Sequence, residues 1–165
     1  MERIASFQVD HTKLNPGLYL SRRDGNILTF DLRFKKPNTG DLLSNAEMHS
    51  VEHVIATLLR NSPAKDAVIY FGPMGCQTGF YFLFDNSQLT LMDAVKLLQE
   101  TFSAGAAFDG PMPGKSAAEC GNYINLDVEL SKKQCAYYAE IIKDLDAEHM
   151  NRLFYDGKFS SIYKL

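Results

Sequence analysis

Apolar and polar positions alternate from Ile27 to Phe34, where Asp31 and Arg33 separate Phe30, Leu32 and Phe34. A period of two sends the two sets to opposite faces of a strand, so one face packs inward and the other is polar. Upstream, Leu18-Tyr19-Leu20 leads into the turn pair Asp24-Gly25, which predicts a hairpin. Ile4 to Val9 predicts a strand before it, and Pro37-Asn38-Thr39-Gly40 breaks the chain after it. The period then changes. Ser44-Asn45-Ala46-Glu47 has the form of a capping box, opening a helix from about Asn45 to Arg60 that ends at Asn61-Ser62-Pro63. Ala67 to Phe71 reads as a buried strand, Gly72-Pro73-Met74-Gly75 as a tight turn and Phe80 to Phe84 as another strand. Leu91, Val95, Leu98 and Phe102 recur at helical spacing, predicting a second helix from about Thr90 to Ala106. Phe108 to Ala117, rich in Pro and Gly, is loop, and Asn122 to Glu129 reads as a short strand. Cys135, Tyr138, Ala139, Ile142 and Leu145 share one face of a third helix, from about Ser131 to Glu148. Antiparallel strands joined by hairpins, with helices on one side, make an α+β layer fold. Residues 1–165 are expected to form one domain.

Composition narrows the classes without choosing among them. Apolar residues at 45% and charged residues at 22% are ordinary for a globular chain. A net charge of -3 with scattered Lys and Arg gives no footprint for nucleic acid. No apolar run is long enough to span a membrane, and Met1 to Asp10 has no signal core, so the protein is expected in the cytoplasm. Cys76, Cys120 and Cys135 cannot all pair, and in a reducing compartment they read as buried, catalytic or metal-bound.

The chemistry concentrates in His49-Ser50-Val51-Glu52-His53. Histidines at i and i+4 share a helix face, so both imidazoles can reach one divalent ion, and Glu52 beside them can serve as acid or base. The bland alternative is a polar helix face with two surface histidines. A catalytic site needs a third ligand, and Glu119, Cys120 and Glu129 are all candidates. Two imidazoles and a thiolate would suit zinc or ferrous iron. Cys76, in Gly75-Cys76-Gln77-Thr78-Gly79, is flanked by glycines at a turn and is expected to be an exposed thiol. Cys135 sits on an apolar helix face and reads as core; His149 reads as a solvated side chain, and His11 means little alone.

Four separated motifs run in one order: Ser6-Phe7-Gln8-Val9-Asp10-His11, Phe30-Asp31-Leu32-Arg33-Phe34, His49-Ser50-Val51-Glu52-His53 and Pro73-Met74-Gly75-Cys76-Gln77-Thr78-Gly79-Phe80-Tyr81. With Glu119-Cys120-Gly121 as a fifth, the chain resembles the S-ribosylhomocysteine lyases, the LuxS-type enzymes that make the precursor of the quorum-sensing signal autoinducer-2. The likeness is strongest over residues 4–125 and weak beyond about Asp127. It implies that His49, His53 and Cys120 hold one divalent metal per subunit, Fe2+ or Zn2+. It implies Cys76 and Glu52 as the acid/base residues, and Ser6, His11 and Arg33 as substrate contacts. It further implies a homodimer with sites at the interface. The implied reaction moves the carbonyl of S-ribosylhomocysteine by two isomerisations, then eliminates homocysteine to leave 4,5-dihydroxy-2,3-pentanedione. The chain departs from the family pattern at Tyr70-Phe71-Gly72, where an acidic residue is usual; this bears on one polar substrate contact and leaves the metal ligands untouched.

The order His-x-x-Glu-His is also that of inverted-motif metallopeptidases, in which Glu129 would complete the site. A scaffold that keeps its metal without turnover is a further alternative, against which the presence of both Cys76 and Glu52 argues. The peptidase and lyase readings part at one substitution. Glu129→Gln should leave metal content unchanged in a lyase, as measured on purified protein, and abolish it in a peptidase.

Overall fold

The structure, a computed structural model, describes residues 10–146. The strand expected at Ile4 to Val9, Ser6, His149 and residues 147–148 of the expected third helix lie outside that range, and that helix ends at Ile142, short of the Glu148 expected, with 143–146 non-helical. Within it, β1 (Gly17–Asp24) and β2 (Ile27–Arg33) form the expected hairpin, with Gly25 at φ 60° in the turn. Helix α1 (Asn45–Arg60) follows, then β3 (Val68–Pro73), β4 (Gly79–Asp85), α2 (Leu91–Ala106) and α3 (Val128–Ile142). The four strands are ordered β1-β2-β4-β3, all antiparallel. This is the α+β arrangement that the alternating patterns imply.

The core is an aromatic seam between the sheet and the helices. Phe30, Phe34, Phe80, Phe82 and Phe84 are fully buried. Phe34 stacks on Tyr138 of α3 with ring centroids 4.1 Å apart, and Phe102 of α2 meets the same tyrosine edge-on at 4.8 Å. The Tyr138 hydroxyl, buried with its ring, donates to the Gly17 carbonyl at 2.9 Å, so α3 is bonded to the start of β1. Where the helices meet, α2 closes on α1 and α3 through Gly105. A Cβ there would lie 2.8 Å from Cys135 Sγ and 3.0 Å from Ile55 Cδ1. Burial pushes the Cys135 thiol up to about 12, partly offset by the Ser131 hydroxyl, so Cys135 is the core cysteine expected.

Three local expectations need correction. Asn122 to Glu129 is not a strand: Tyr123–Asn125 form one 3-10 turn, and Asp127 then caps α3 by accepting from the Glu129 and Leu130 amides. The β-branched and apolar residues that suggested a strand are overridden by that cap, which fixes the helix start three residues before Ser131. The strand at Ala67 to Phe71 is not buried throughout: among the described residues β3 lies at the edge of the sheet, and Ile69 and Tyr70 are exposed. The turn lies later than Gly72 to Gly75, with Gly72 and Pro73 still in β3 and Gln77 as the residue at positive φ, 61°.

The capping box of α1 forms as expected. Ser44 Oγ accepts from the Glu47 amide at 3.2 Å, and Glu47 Oε2 accepts from the Ser44 amide at 2.8 Å. Gln134 of α3 donates to Glu47 Oε1 at 2.7 Å, joining the two helices. Burial works to raise the Glu47 pKa, but the Ser44 amide and hydroxyl and the Gln134 amide outweigh it and hold the carboxyl below its usual range. A depressed folded pKa gives stability that is complete above the unfolded value and lost as pH falls through the folded one. Ser44→Ala should therefore cost about 1 kcal/mol near neutral pH. Denaturant titrations of both proteins should find that deficit shrinking once the pH falls below the ordinary carboxylate range.

Candidate metal centre and thiol cluster

Helix α1 fixes the histidines because its other face is anchored. Val51, Val54, Ile55 and Leu59 are fully buried, which orients His49 and His53 toward the loop before α3. Their rings stand nearly perpendicular, 89° apart, with centroids separated by 4.7 Å. His53 Nδ1 lies 2.9 Å from the Pro113 carbonyl oxygen, and His49 Nδ1 lies 2.6 Å from Asn125 Oδ1. A carbonyl oxygen can only accept, so each Nδ1 is the donor, and in the neutral imidazole Nε2 is then the nitrogen with the lone pair. Gly114 makes the first contact possible: its φ is +66°, and a Cβ there would lie 2.8 Å from His53 Nδ1.

Cys120 completes the group. Its Sγ is 3.3 Å from His49 Nε2, and the ligand atoms of His49, His53 and Cys120 all lie within 4.8 Å of one another. A tetrahedral ion with ordinary Zn–N and Zn–S bonds holds such atoms roughly 3.3–3.6 Å apart. The donor set and its spacing therefore fit one transition-metal ion with at least one coordination position left for a ligand. The Asn122 amide donates to Cys120 Sγ at 3.4 Å, which holds the sulfur in place. Among the described residues no other His, Cys, Asp and Glu side chains are so arranged. The two glutamates weighed against Cys120 are occupied elsewhere: Glu119 accepts from Ser116 Oγ at 2.6 Å, and Glu129 pairs with Lys132 at 3.0 Å. Glu52 is half-buried on α1, one residue before His53.

A second cluster forms on the outer face of the sheet. Arg33 Nη1 donates to Thr78 Oγ1 at 2.5 Å and lies 3.8 Å from Cys76 Sγ, which is itself 3.0 Å from Thr78 Oγ1. Arg33 Nη2 is paired with Asp31 Oδ2. The register sets Asp31 between Tyr19 of β1 and Tyr81 of β4. Burial first, with the Asp31 charge adding to it, raises both phenols above their usual range. The polar face expected for β2 is thus not a solvated one: Arg33 is 2% exposed and Asp31 is 1%. Cys76 is exposed as expected, and His11 is half-buried in the turn after Asp10.

The ligands and the thiol are legible in the sequence, but the groups that hold them are not. Thr78, inside a motif already noticed, was assigned no task; Asn125 and Pro113 carried no local signal at all. Asn45 did carry one, since Asn45, His49 and His53 recur every four residues along one stripe of α1.

A family model described as S-Ribosylhomocysteinase (LuxS) matches residues 4–149. The match runs past Asp127, further than the motifs alone carried the likeness. A protein of Desulfotalea psychrophila named S-ribosylhomocysteine lyase is 45% identical over 157 residues, 92% of this chain and 98% of its own. One of the same name from Borrelia garinii is 42% identical over 91% of this chain and 98% of its own. Another from Clostridium acetobutylicum is 38% identical over 92% and 98%.

The three cysteines should differ in reactivity. In native protein a thiol reagent should modify Cys76 and spare Cys135, whose thiol is buried and held protonated. Mass spectrometry of the labelled peptides, before and after unfolding in denaturant, reads this directly. Equal labelling of Cys135 in the native state would contradict the packing described.

Proposed function

The chain belongs to the S-ribosylhomocysteinase (LuxS) family, and on that premise we propose how its own residues divide the work of an S-ribosylhomocysteine lyase. The activity is metal-dependent carbon–sulfur cleavage that feeds autoinducer synthesis. The observation that carries the reading is the convergence of His49, His53 and Cys120 on one point.

His49, His53 and Cys120 would hold the ion, proposed as Fe2+ or Zn2+, with one per subunit. When bound, such an ion supplies Lewis acidity toward the sugar's carbonyl and hydroxyl oxygens. The remaining work is proton transfer. The open-chain sugar begins as an aldehyde, and moving its carbonyl from C1 to C2 and then to C3 requires a proton to leave one carbon and return to its neighbour. Cys76, exposed on the loop between β3 and β4, is proposed as the base that reaches these carbons. Its sulfur lies beside the Arg33 guanidinium and the Thr78 hydroxyl, which fix its position. Glu52 is proposed to move protons at the sugar oxygens and at the departing sulfur. With the carbonyl at C3, the C4 proton is acidic. Its removal forms a C4=C5 double bond and expels the C5 sulfur, which takes up a proton as homocysteine; the enol left behind tautomerises to 4,5-dihydroxy-2,3-pentanedione, with no net oxidation or reduction.

Ser6, His11 and Arg33 are proposed to contact substrate. Arg33 is so enclosed that its part is to orient Thr78 and Cys76 as much as to bind a substrate oxygen. We place the protein in the cytoplasm as a homodimer with its sites at the subunit interface. Among the described residues no helix is long and apolar enough to cross a membrane.

Metal-loaded protein incubated with S-ribosylhomocysteine should release free homocysteine thiol, followed with a thiol reagent. Cys76→Ala and Glu52→Gln should each lower the rate by at least about a hundredfold, the usual weight of one acid/base group. A fully metal-loaded wild-type protein that releases no thiol sinks the lyase assignment. Near-normal release from either variant removes that residue from its role.

A further inference from the structure

The segment that delivers Cys120 is fastened to α1 at several points, and one of them continues beyond the ligands. Asn125, in the 3-10 turn after Cys120, places Oδ1 2.6 Å from His49 Nδ1. Its Nδ2 donates to Asn45 Oδ1 at 2.7 Å. Asn45 stands in the first turn of α1, one turn below His49 on the same stripe. Two residues on, the Asp127 amide donates to the buried Ser50 hydroxyl at 2.9 Å. The 125–127 stretch is therefore laid along the ligand helix.

An amide side chain has one accepting and one donating end. With Nδ2 of Asn125 donating to Asn45, Oδ1 faces His49 and can only accept. That keeps the proton on Nδ1 and leaves Nε2, the nitrogen 3.3 Å from Cys120 Sγ, as a lone-pair donor. The opposite orientation would put a proton on Nε2 and block the ion. Resting on the metal-centre reading above, we propose that Asn45 and Asn125 form a positioning relay that sets the tautomer and ring orientation of His49. Asn125 thereby couples the Cys120 segment to the histidine helix, so that both ligands arrive together. Its weight should be typical of partners behind metal ligands, whose removal lowers affinity by about 10–100-fold. Because Asn45 is exposed and Asn125 only half-buried, the lower end of that range is expected here.

The test is Zn2+ affinity of full-length protein by competition with a chromophoric chelator, with the Co2+-substituted absorption spectrum as a report on ligand geometry. Circular dichroism and thermal melting of the metal-free forms check folding. Asn125→Ala should bind Zn2+ about tenfold more weakly and change the Co2+ bands, with the metal-free fold intact. Asn125→Asp keeps an acceptor toward His49 and should retain affinity and spectrum. Asn45→Ala, which touches no ligand, should lose affinity in the same direction by a smaller factor. Wild-type affinity in Asn125→Ala, or equal losses in Asn125→Asp and Asn125→Ala, would overturn the relay. Should Asn125→Ala fail to fold, Asn45→Ala decides: weakened Zn2+ binding supports the relay, and unchanged binding overturns it. The assay needs no turnover, so a wild-type protein that binds Zn2+ without cleaving substrate would sink the lyase assignment and leave the relay standing. A wild-type protein that binds neither Zn2+ nor Co2+ would overturn both.

Discussion

The orientation of α1 about its own axis is the constraint on which everything else depends. The helix buries Val51, Val54, Ile55 and Leu59 and at the same time presents His49 and His53. Successive residues are about 100° apart around a helix, so a rotation by one residue would expose the apolar stripe and withdraw both imidazoles. A ligand set has to be held within about half an ångström, which loops rarely achieve unaided. Here the aromatic seam supplies that rigidity. The metal geometry is thus a consequence of core packing, and damage far from the ligands would reach them through the tilt of this one helix.

The thiol side is built by a different device. Asp31 and Arg33 lie enclosed on the outer face of the sheet, where removing two charges from water costs several kcal/mol per ion before their attraction is counted. Such pairs are weak evidence for stability, because apolar replacements of similar size often do as well. What the pair does achieve is geometric. With Asp31 fixing one end of the guanidinium, the other is aimed at Thr78 and Cys76. Gly79 is required nearby, since a Cβ there would run into the Leu32 carbonyl of the neighbouring strand. The loop that carries Cys76 therefore returns to the sheet at a fixed point.

Features coded by local period were readable from the chain: the α1 capping box, the i, i+4 histidines, the buried stripe of α2 and the inward phenylalanines of β2 and β4. Features that depend on which segments meet were not. Alternation in β2 reveals two faces but not whether the polar one is covered, so the burial of Arg33 was invisible. The strand at Val68–Pro73 was found, but its place at the edge of the described sheet, with Ile69 and Tyr70 exposed, is a matter of strand order. Asn122 to Glu129 misled because its apolar content outweighed a single capping aspartate. Residue logic left Glu119, Cys120 and Glu129 open as third ligand, because that choice is made by the path of an irregular loop. Asn125 reaches Asn45 across 80 positions, beyond the range of any spacing rule.

Tyr70 and Gly72 fit together on the exposed edge of β3. The Tyr70 phenol lies over Gly72, so a side chain there would have to turn the exposed ring aside. The same reasoning reaches further at Gly105, where three helices meet with no room for a methyl group beside Cys135 and Ile55. Volume there is shared property: an ancestor or descendant could gain an atom at position 105 only by surrendering one at 135 or 55. Drift at these three sites has to proceed in concert, in an order that never passes through an overfilled junction.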